Sequence, residues 1–158
     1  AESEARQKRI RLVYEVDLDA PTALSDQVFV QRIVQNLVGN AVKAVCESLS
    51  EDVIESAVEG EYLGEVRVRY TCHPDAHVLE VEDTGPGMSE EIRQRILAGS
   101  GRSQWGKAGG SGWGAKIVLD LAHALGGSLE IDSTEGEGSV FRVRLPVKME
   151  ASLGANSA

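Results

Sequence analysis

Four stretches of this chain alternate apolar with charged side chains, and that alternation limits the fold more than any other feature. Val66, Val68 and Tyr70 alternate with Arg67 and Arg69 over 65–71, and Leu79 and Val81 with Glu80 and Glu82 over 77–83. Leu129 and Ile131 alternate with Glu130 and Asp132 over 128–133, and Phe141, Val143 and Leu145 with Arg142 and Arg144 over 139–145. A period of two places successive side chains on opposite faces of a strand, so each segment has one apolar and one charged face. Such strands build a sheet covered on one side only, with Arg–Glu pairs expected across its open face. The helices must then gather on the apolar side. The fold class is α/β, a two-layer α/β sandwich. A fifth strand is expected over 11–16, with Leu12, Tyr14 and Val16 on one side.

The longest helical pattern runs from about residue 27 to 49, with Ser25 or Asp26 as its cap. Val30, Ile33, Val34, Leu37, Ala41 and Val45 form its apolar arc, and Asn36, Asn40 and Lys43 fall on one narrow stripe at the border of that arc. Asn is a weak helix former, so two of them there are unusual. The stripe is either a solvated flank or a set of two amide oxygens and one ammonium offered to a ligand. Amide oxygens suit a hard cation such as Mg2+, and Lys suits phosphate. Residues 50–64 are acidic and are expected to form a helical extension followed by a loop. Two further helices are expected, one capped by Ser89 and ending near Leu97, the other running from about Trp113 to Leu125 and stopped by Gly126-Gly127.

Two glycine-rich turns border these elements. Asp83-Thr84-Gly85-Pro86-Gly87 follows the 77–83 strand directly, and period two turns Asp83 toward the core. A carboxylate there needs a donor: the N–H groups of its own turn, or a ligand amino group such as that of adenine. Gly85 and Gly87 allow close approach of backbone to ligand. Gly110-Ser111-Gly112-Trp113-Gly114 opens the last helix. That turn is either a flexible connection or, with free N–H groups at a positive helix end, a phosphate site. It is not a Walker loop, since Gly106-Lys107 is followed by Ala, and no strand leads into it as a dinucleotide fingerprint requires.

Bulk properties exclude several classes. A chain of 158 residues, 42% of them hydrophobic, fits one domain with a core; residues 1–149 are expected to form it and 150–158 a disordered tail. The net charge of -9 gives no basic excess for general nucleic-acid binding. Cys46 and Cys72 have no metal-ligand spacing, and Cys46 reads as a structural thiol. No apolar run has the length of a membrane span, so no direct membrane contact is expected and the cytoplasm is the expected compartment, with anchoring of a longer chain left open. The chain opens Ala-Glu-Ser rather than with Met and is expected to be processed or a piece of something longer.

Taken together and in order, three motifs resemble the nucleotide-binding domain shared by sensor histidine kinases, DNA gyrase, Hsp90 and MutL. Asn36-x-x-x-Asn40-Ala41-x-Lys43 matches the N box, Asp83-x-Gly85-x-Gly87 the G1 box, and Gly110-x-Gly112-x-Gly114 the G2 box. The ending 136–146 resembles the closing hairpin of the kinases, and the likeness covers about residues 8–147. The resemblance implies a Bergerat-type ATP-binding fold, with a mixed sheet of about five strands. It implies ATP and Mg2+ as cofactors, Asp83 reading the adenine amino group, and Asn40 holding the metal with Asn36 assisting. Lys43 would contact phosphate, the Gly110–Gly114 backbone would wrap the phosphates, and Ser139 would assist adenine through water or make a local turn bond. Arg102 and Lys107 are candidates for reaching the γ-phosphate.

Among these relatives the kinases fit best. The ATP hydrolases carry a general-base Glu where this chain has Asn36, and Asn takes no proton at neutral pH. The implied activity is phosphoryl transfer to a histidine on a helical dimerisation domain N-terminal to this chain, with a response regulator downstream. His73, His77 and His123 lie in no acceptor-like helix and are expected to be structural or exposed. The alternatives are a protein serine kinase of the anti-sigma type and a nucleotide-binding regulatory module without transfer. The chain departs from the kinase pattern in lacking a Phe-rich box near 96–101, in having Ala44 after Lys43, and in Trp113. These departures put the lid and the inner wall of the pocket in question.

Overall fold

The structure, a computed structural model, describes residues 6–16, 27–99 and 112–146. Five strands form one sheet: β1 (Ile10–Val16), β2 (Gly64–Cys72), β3 (Ala76–Asp83), β4 (Ser128–Thr134) and β5 (Gly138–Pro146). The spatial order is β1-β2-β3-β5-β4; β1 runs parallel to β2 and every other pair is antiparallel. The helices are α1 (Gln27–Ser48), α2 (Glu51–Ser56), α3 (Glu90–Leu97) and α4 (Gly112–Ala124). α1 packs on β2, β3 and α4, and α3 and α4 pack on β4. The result is the expected mixed, two-layer sandwich.

The inward residues of the alternating strands meet the apolar arc of α1. Ile33, Leu37, Val45, Val66, Leu79 and Val81 are essentially inaccessible, and Val118 of α4 joins Val143 and Leu145 of β5. The opposite sheet face carries the expected ion pairs. Arg142 Nη2 lies 3.1 Å from Glu80 and its Nη1 3.2 Å from Asp132; Arg69 lies 3.1 Å from Glu82, and Arg67 pairs with Glu65 and Glu15. The direct register of Glu80 opposite Arg142 explains the central contact.

One expectation changes. The region 50–64 does not extend α1. Ser50 has extended backbone and accepts from Val53 N at 3.2 Å, which starts α2 as a separate helix. A Ser side chain competing for backbone donors favours a fresh cap over helix continuation. In β1, Leu12, Tyr14 and Val16 do share the helix-facing side with Val66, Val68 and Tyr70, yet they are exposed. Only Ile10 of that strand is buried, because α1 lies chiefly over β2 and β3. The candidate caps Ser25 and Asp26, the segment 100–111 and the tail 150–158 lie outside the described residues.

Leu37→Ala is expected to cost about 3 kcal/mol, because it opens a cavity at the contact between α1 and the sheet. Arg69→Gln is expected to cost under about 1 kcal/mol, because its partners are half-exposed. Urea denaturation of the two variants checks the contrast.

Candidate functional site

The direction of the helices concentrates polar groups at one end of the sheet. Near the C-terminal end of α1, Val45 abuts Gly64 at the start of β2, where a Cβ would lie 2.3 Å from Val45 Cγ1. One residue earlier, Ala44 meets Gly85, where a Cβ would lie 3.1 Å from the Ala44 Cβ. The small side chain at 44 thus permits the turn after β3 to sit directly on α1, one turn beyond Asn40. α4 ends at the other end of β5: Gly126, at φ +78, faces Pro146, and Gly127 faces the Arg144 carbonyl. The N-terminus of α4 therefore points toward the end of the sheet where β3 finishes and β5 begins.

Asp83 is the last residue of β3 and is 5% exposed. Its Oδ1 accepts the Gly85 N–H at 2.8 Å, and the Ser139 N–H also donates to the carboxylate. Burial pushes its pKa up to about 6; the Gly85 and Ser139 N–H groups oppose that rise, and Glu82 adds to it. A carboxylate so placed retains acceptor capacity for one more donor. Gly87, at φ +70, leaves no room for a side chain, since a Cβ would lie 2.1 Å from the Thr134 carbonyl.

The α1 stripe divides by burial. Asn40 is 6% exposed, and its Nδ2 has no hydrogen-bond partner among the described residues. A buried orphaned amide in a packed helix marks a demand for an external polar partner. Asn36 is half-buried and donates Nδ2 to the Arg32 carbonyl at 2.7 Å, which leaves its Oδ1 for another role. Lys43 is exposed, with its positive charge close enough to Glu47 to counter the burial that raises that carboxyl. Gly112 and Gly114 lie in the first turn of α4, whose leading N–H groups lack helical acceptors. Gly110, Arg102 and Lys107 lie outside the described residues. Ser139 is buried, and its Oγ lies 2.8 Å from Ser133 Oγ.

The motifs did not single out three residues that shape this end. Gly138, at φ +93, presses on the Asp83 carbonyl, where a Cβ would lie 2.1 Å away. Ser133 accepts the Met88 N–H at 2.8 Å and donates to the Gly138 carbonyl at 3.0 Å, tying the 85–88 turn to the β4–β5 hairpin. Thr84 Oγ1 accepts the Glu65 N–H at 2.9 Å. The available signal for Gly138 was its place in the 136–146 ending, which points to a hairpin and not to contact with Asp83. A cavity of about 170 Å3 opens at the ends of β3, β4 and β5, lined by Glu82, Asp132 and Glu137 as well as by Asp83, Ser133 and Ser139, and so borders the charged sheet face and includes no residue of α1.

A buried acceptor at a strand end, a buried amide on a neighbouring helix, and a glycine-rich helix start aimed at the same end define a nucleotide-binding α/β sandwich. Residues 25–149 match the model of the histidine kinase-, DNA gyrase B-, and HSP90-like ATPase family, so the chain belongs to that family and carries its ATP-binding domain. Among curated relatives, the two-component sensor PhoQ of Pseudomonas aeruginosa is 38% identical over 82 residues, 52% of this chain and 18% of that protein. The sensor protein TorS of Escherichia coli is 37% identical over 90 residues, 54% of this chain and 9% of TorS. The chain thus spans under a fifth of either relative. Full-length ShkA, solved in complex with AMPPNP, superposes with a TM-score of 0.68 at 25% identity, covering 94% of this chain and 29% of ShkA. The mycobacterial sensor histidine kinase MprB gives 0.65 at 25% identity, covering 90% of this chain and 85% of that one. The domain is of the sensor histidine kinase type. Among the described residues, no helix is long and apolar enough to cross a membrane.

The Asp83 carboxyl fixes a pH dependence for the nucleotide-free fold. Its folded pKa of about 6 lies above the ordinary 3.8, so the folded state holds the proton more tightly than the unfolded chain. The associated stability is fully present below about pH 4 and is lost as pH rises through about 6. Asp83→Asn removes this titration, so the variant is expected to gain stability relative to the parent across that window, by about 2–3 kcal/mol at most. Melting temperatures of both proteins from about pH 4 to about pH 8 check it.

Proposed function

We propose that this chain is the ATP-Mg2+ binding catalytic domain of a two-component sensor histidine kinase, and that it delivers the γ-phosphate of ATP to a histidine on a helical dimerisation domain outside the chain. The carrying observation is the buried Asp83 carboxylate, held by the Gly85 and Ser139 N–H groups at the same end of the sheet as the buried Asn40 amide, whose Nδ2 has no partner among the described residues. Asp83 accepts from the adenine amino group and so fixes the base. Ser139, joined to Ser133, supports the base edge through an intervening water.

The donor set fits a nucleotide-borne Mg2+. Among the described residues no group of three or more His, Cys, Asp and Glu forms a metal cage, whereas Mg2+ commonly uses one or two protein oxygens with phosphate and water for the rest. Asn40 supplies such an oxygen when its amide turns, and Asn36 Oδ1 assists beside it. When bound, the metal neutralises charge on the phosphates. Lys43, on the same stripe, supplies a point charge to them. The backbone of Gly110, Gly112 and Gly114 wraps the phosphate oxygens at the start of α4. Asn36 cannot abstract a proton from water, so the site orients the terminal phosphate for an external nucleophile rather than for hydrolysis. Catalysis is then chiefly positioning and charge neutralisation. Arg102 and Lys107 are the candidates to add charge from the segment preceding α4. The acceptor domain and a response regulator are the proposed partners, and the cytoplasm the proposed compartment.

The test supplies a dimeric acceptor domain in trans with γ-labelled ATP. Label is expected on a histidine, acid-labile and stable to base, and Asn40→Ala and Asp83→Asn should each reduce it at least about 100-fold. Base-labile, acid-stable label would favour a serine kinase, and nucleotide binding without label a regulatory module. Undiminished labelling in both variants would remove the site assignment.

A further inference from the structure

β1 ends the sheet on one side, and its outer edge pairs with no strand among the described residues. Leu12, Tyr14 and Val16 are 47, 57 and 53% exposed, although they lie on the same sheet face as the buried Val66 and Val68. A seven-residue edge with three exposed apolar side chains is a template for pairing with another strand, which isolated domains ordinarily blunt. The outward backbone groups can be assigned. Leu63 N and Gly64 N both donate to the Arg9 carbonyl, so odd-numbered residues turn toward β2 and residues 10, 12, 14 and 16 turn their N–H and C=O outward.

We propose that this edge is a self-association surface, on which β1 of a second copy pairs antiparallel about a two-fold axis at Val13. The strand sequence Ile10-Arg11-Leu12-Val13-Tyr14-Glu15-Val16 is complementary to its own reverse in that register. Arg11 faces Glu15 of the second copy, Leu12 faces Tyr14, and Ile10 faces Val16, each pair occurring twice. Leu12 and Tyr14 exchange backbone hydrogen bonds, because both turn theirs outward. Shifting the register by two residues sets Val13 against Arg11 or Glu15 and loses the Arg11–Glu15 pair. The second copy is thus favoured over an unrelated strand by matched charge and matched apolar pairs together. Glu15 is already fixed on the open sheet face by Arg67 and by Arg69 at 3.5 Å, in reach of a cation from the neighbouring strand. The two five-stranded sheets join into one of ten strands. The exposed apolar side chains of both copies then line the strip between the two α1 helices. A single strand pair buries less than the roughly 1,200 Å2 of a stable interface, so the association is weak.

Sedimentation equilibrium of the 158-residue chain, from about 10 µM to about 1 mM, tests this. A monomer–dimer equilibrium is expected. Arg11→Glu, Glu15→Arg and Tyr14→Lys should each weaken it at least about tenfold with melting temperatures showing folded protein. Mixing the Arg11→Glu and Glu15→Arg proteins should restore dimers, since each then meets its opposite charge. If Glu15→Arg fails to fold after losing its Arg67 and Arg69 partners, Arg11→Glu and Tyr14→Lys decide the matter. A wild-type chain monomeric throughout, variants that dimerise as wild type does, or a mixture of folded variants without recovery would each overturn the proposal.

Discussion

The site depends on keeping one carboxylate out of water. Asp83 stands at the end of a core strand, 5% exposed, and its burial is offset by the backbone N–H groups of Gly85 and Ser139. Those donors are in place only because three close approaches hold. Gly85 packs against Ala44, Gly87 against the Thr134 carbonyl, and Gly138 against the Asp83 carbonyl. At Gly87 and Gly138 a methyl group would collide with the neighbouring carbonyl, 2.1 Å away, and at Gly85 it would crowd the Asp83 carboxylate at 2.8 Å. The glycines around Asp83 thus serve less as flexible joints than as the means by which helix, turn and hairpin reach one carboxylate. A buried acceptor with its pKa raised to about 6 is under tension without a further donor, which is the state in which it is of use to a ligand.

The same economy explains the division of labour along α1. Its apolar arc secures the helix to the sheet through Ile33, Leu37 and Val45. The border of that arc dips under cover at Asn40 and rises to solvent at Lys43. One helix therefore anchors the core and presents, within a turn, a dehydrated amide and a hydrated cation. The charged face of the sheet plays a different part: its Arg–Glu network keeps that side wet while the helices cover the other.

Much of this was legible in the chain itself. Alternation in 65–71, 77–83, 128–133 and 139–145 recovers four strands to within about a residue, because a sheet with one wet face writes a period of two into its sequence. The core-facing position of Asp83 follows from the same period. What was not legible depended on tertiary proximity. Gly138 differs in no local respect from Gly136, and only its neighbour across the sheet makes it indispensable. The exposure of Leu12, Tyr14 and Val16 follows from where α1 lies, which no strand pattern encodes. The break between α1 and α2 turned on a single Ser side chain preferring a backbone donor. Arg102 and Lys107, the candidates for reaching the γ-phosphate, and Gly110 of the glycine-rich turn fall outside the described residues.

The central claim is that a carboxylate at 83 reads the base of a bound nucleotide. Adenine presents an amino donor at its six-position, whereas guanine presents a carbonyl oxygen there, which an acceptor repels. Calorimetric titration of the chain with the Mg2+ complexes of non-hydrolysable ATP and GTP analogues, above about pH 7 where Asp83 is ionised, puts that difference directly to the test. The account predicts binding of the adenine nucleotide at least about a hundredfold tighter than the guanine one. Equal affinity for the two, or preference for guanine, would contradict it.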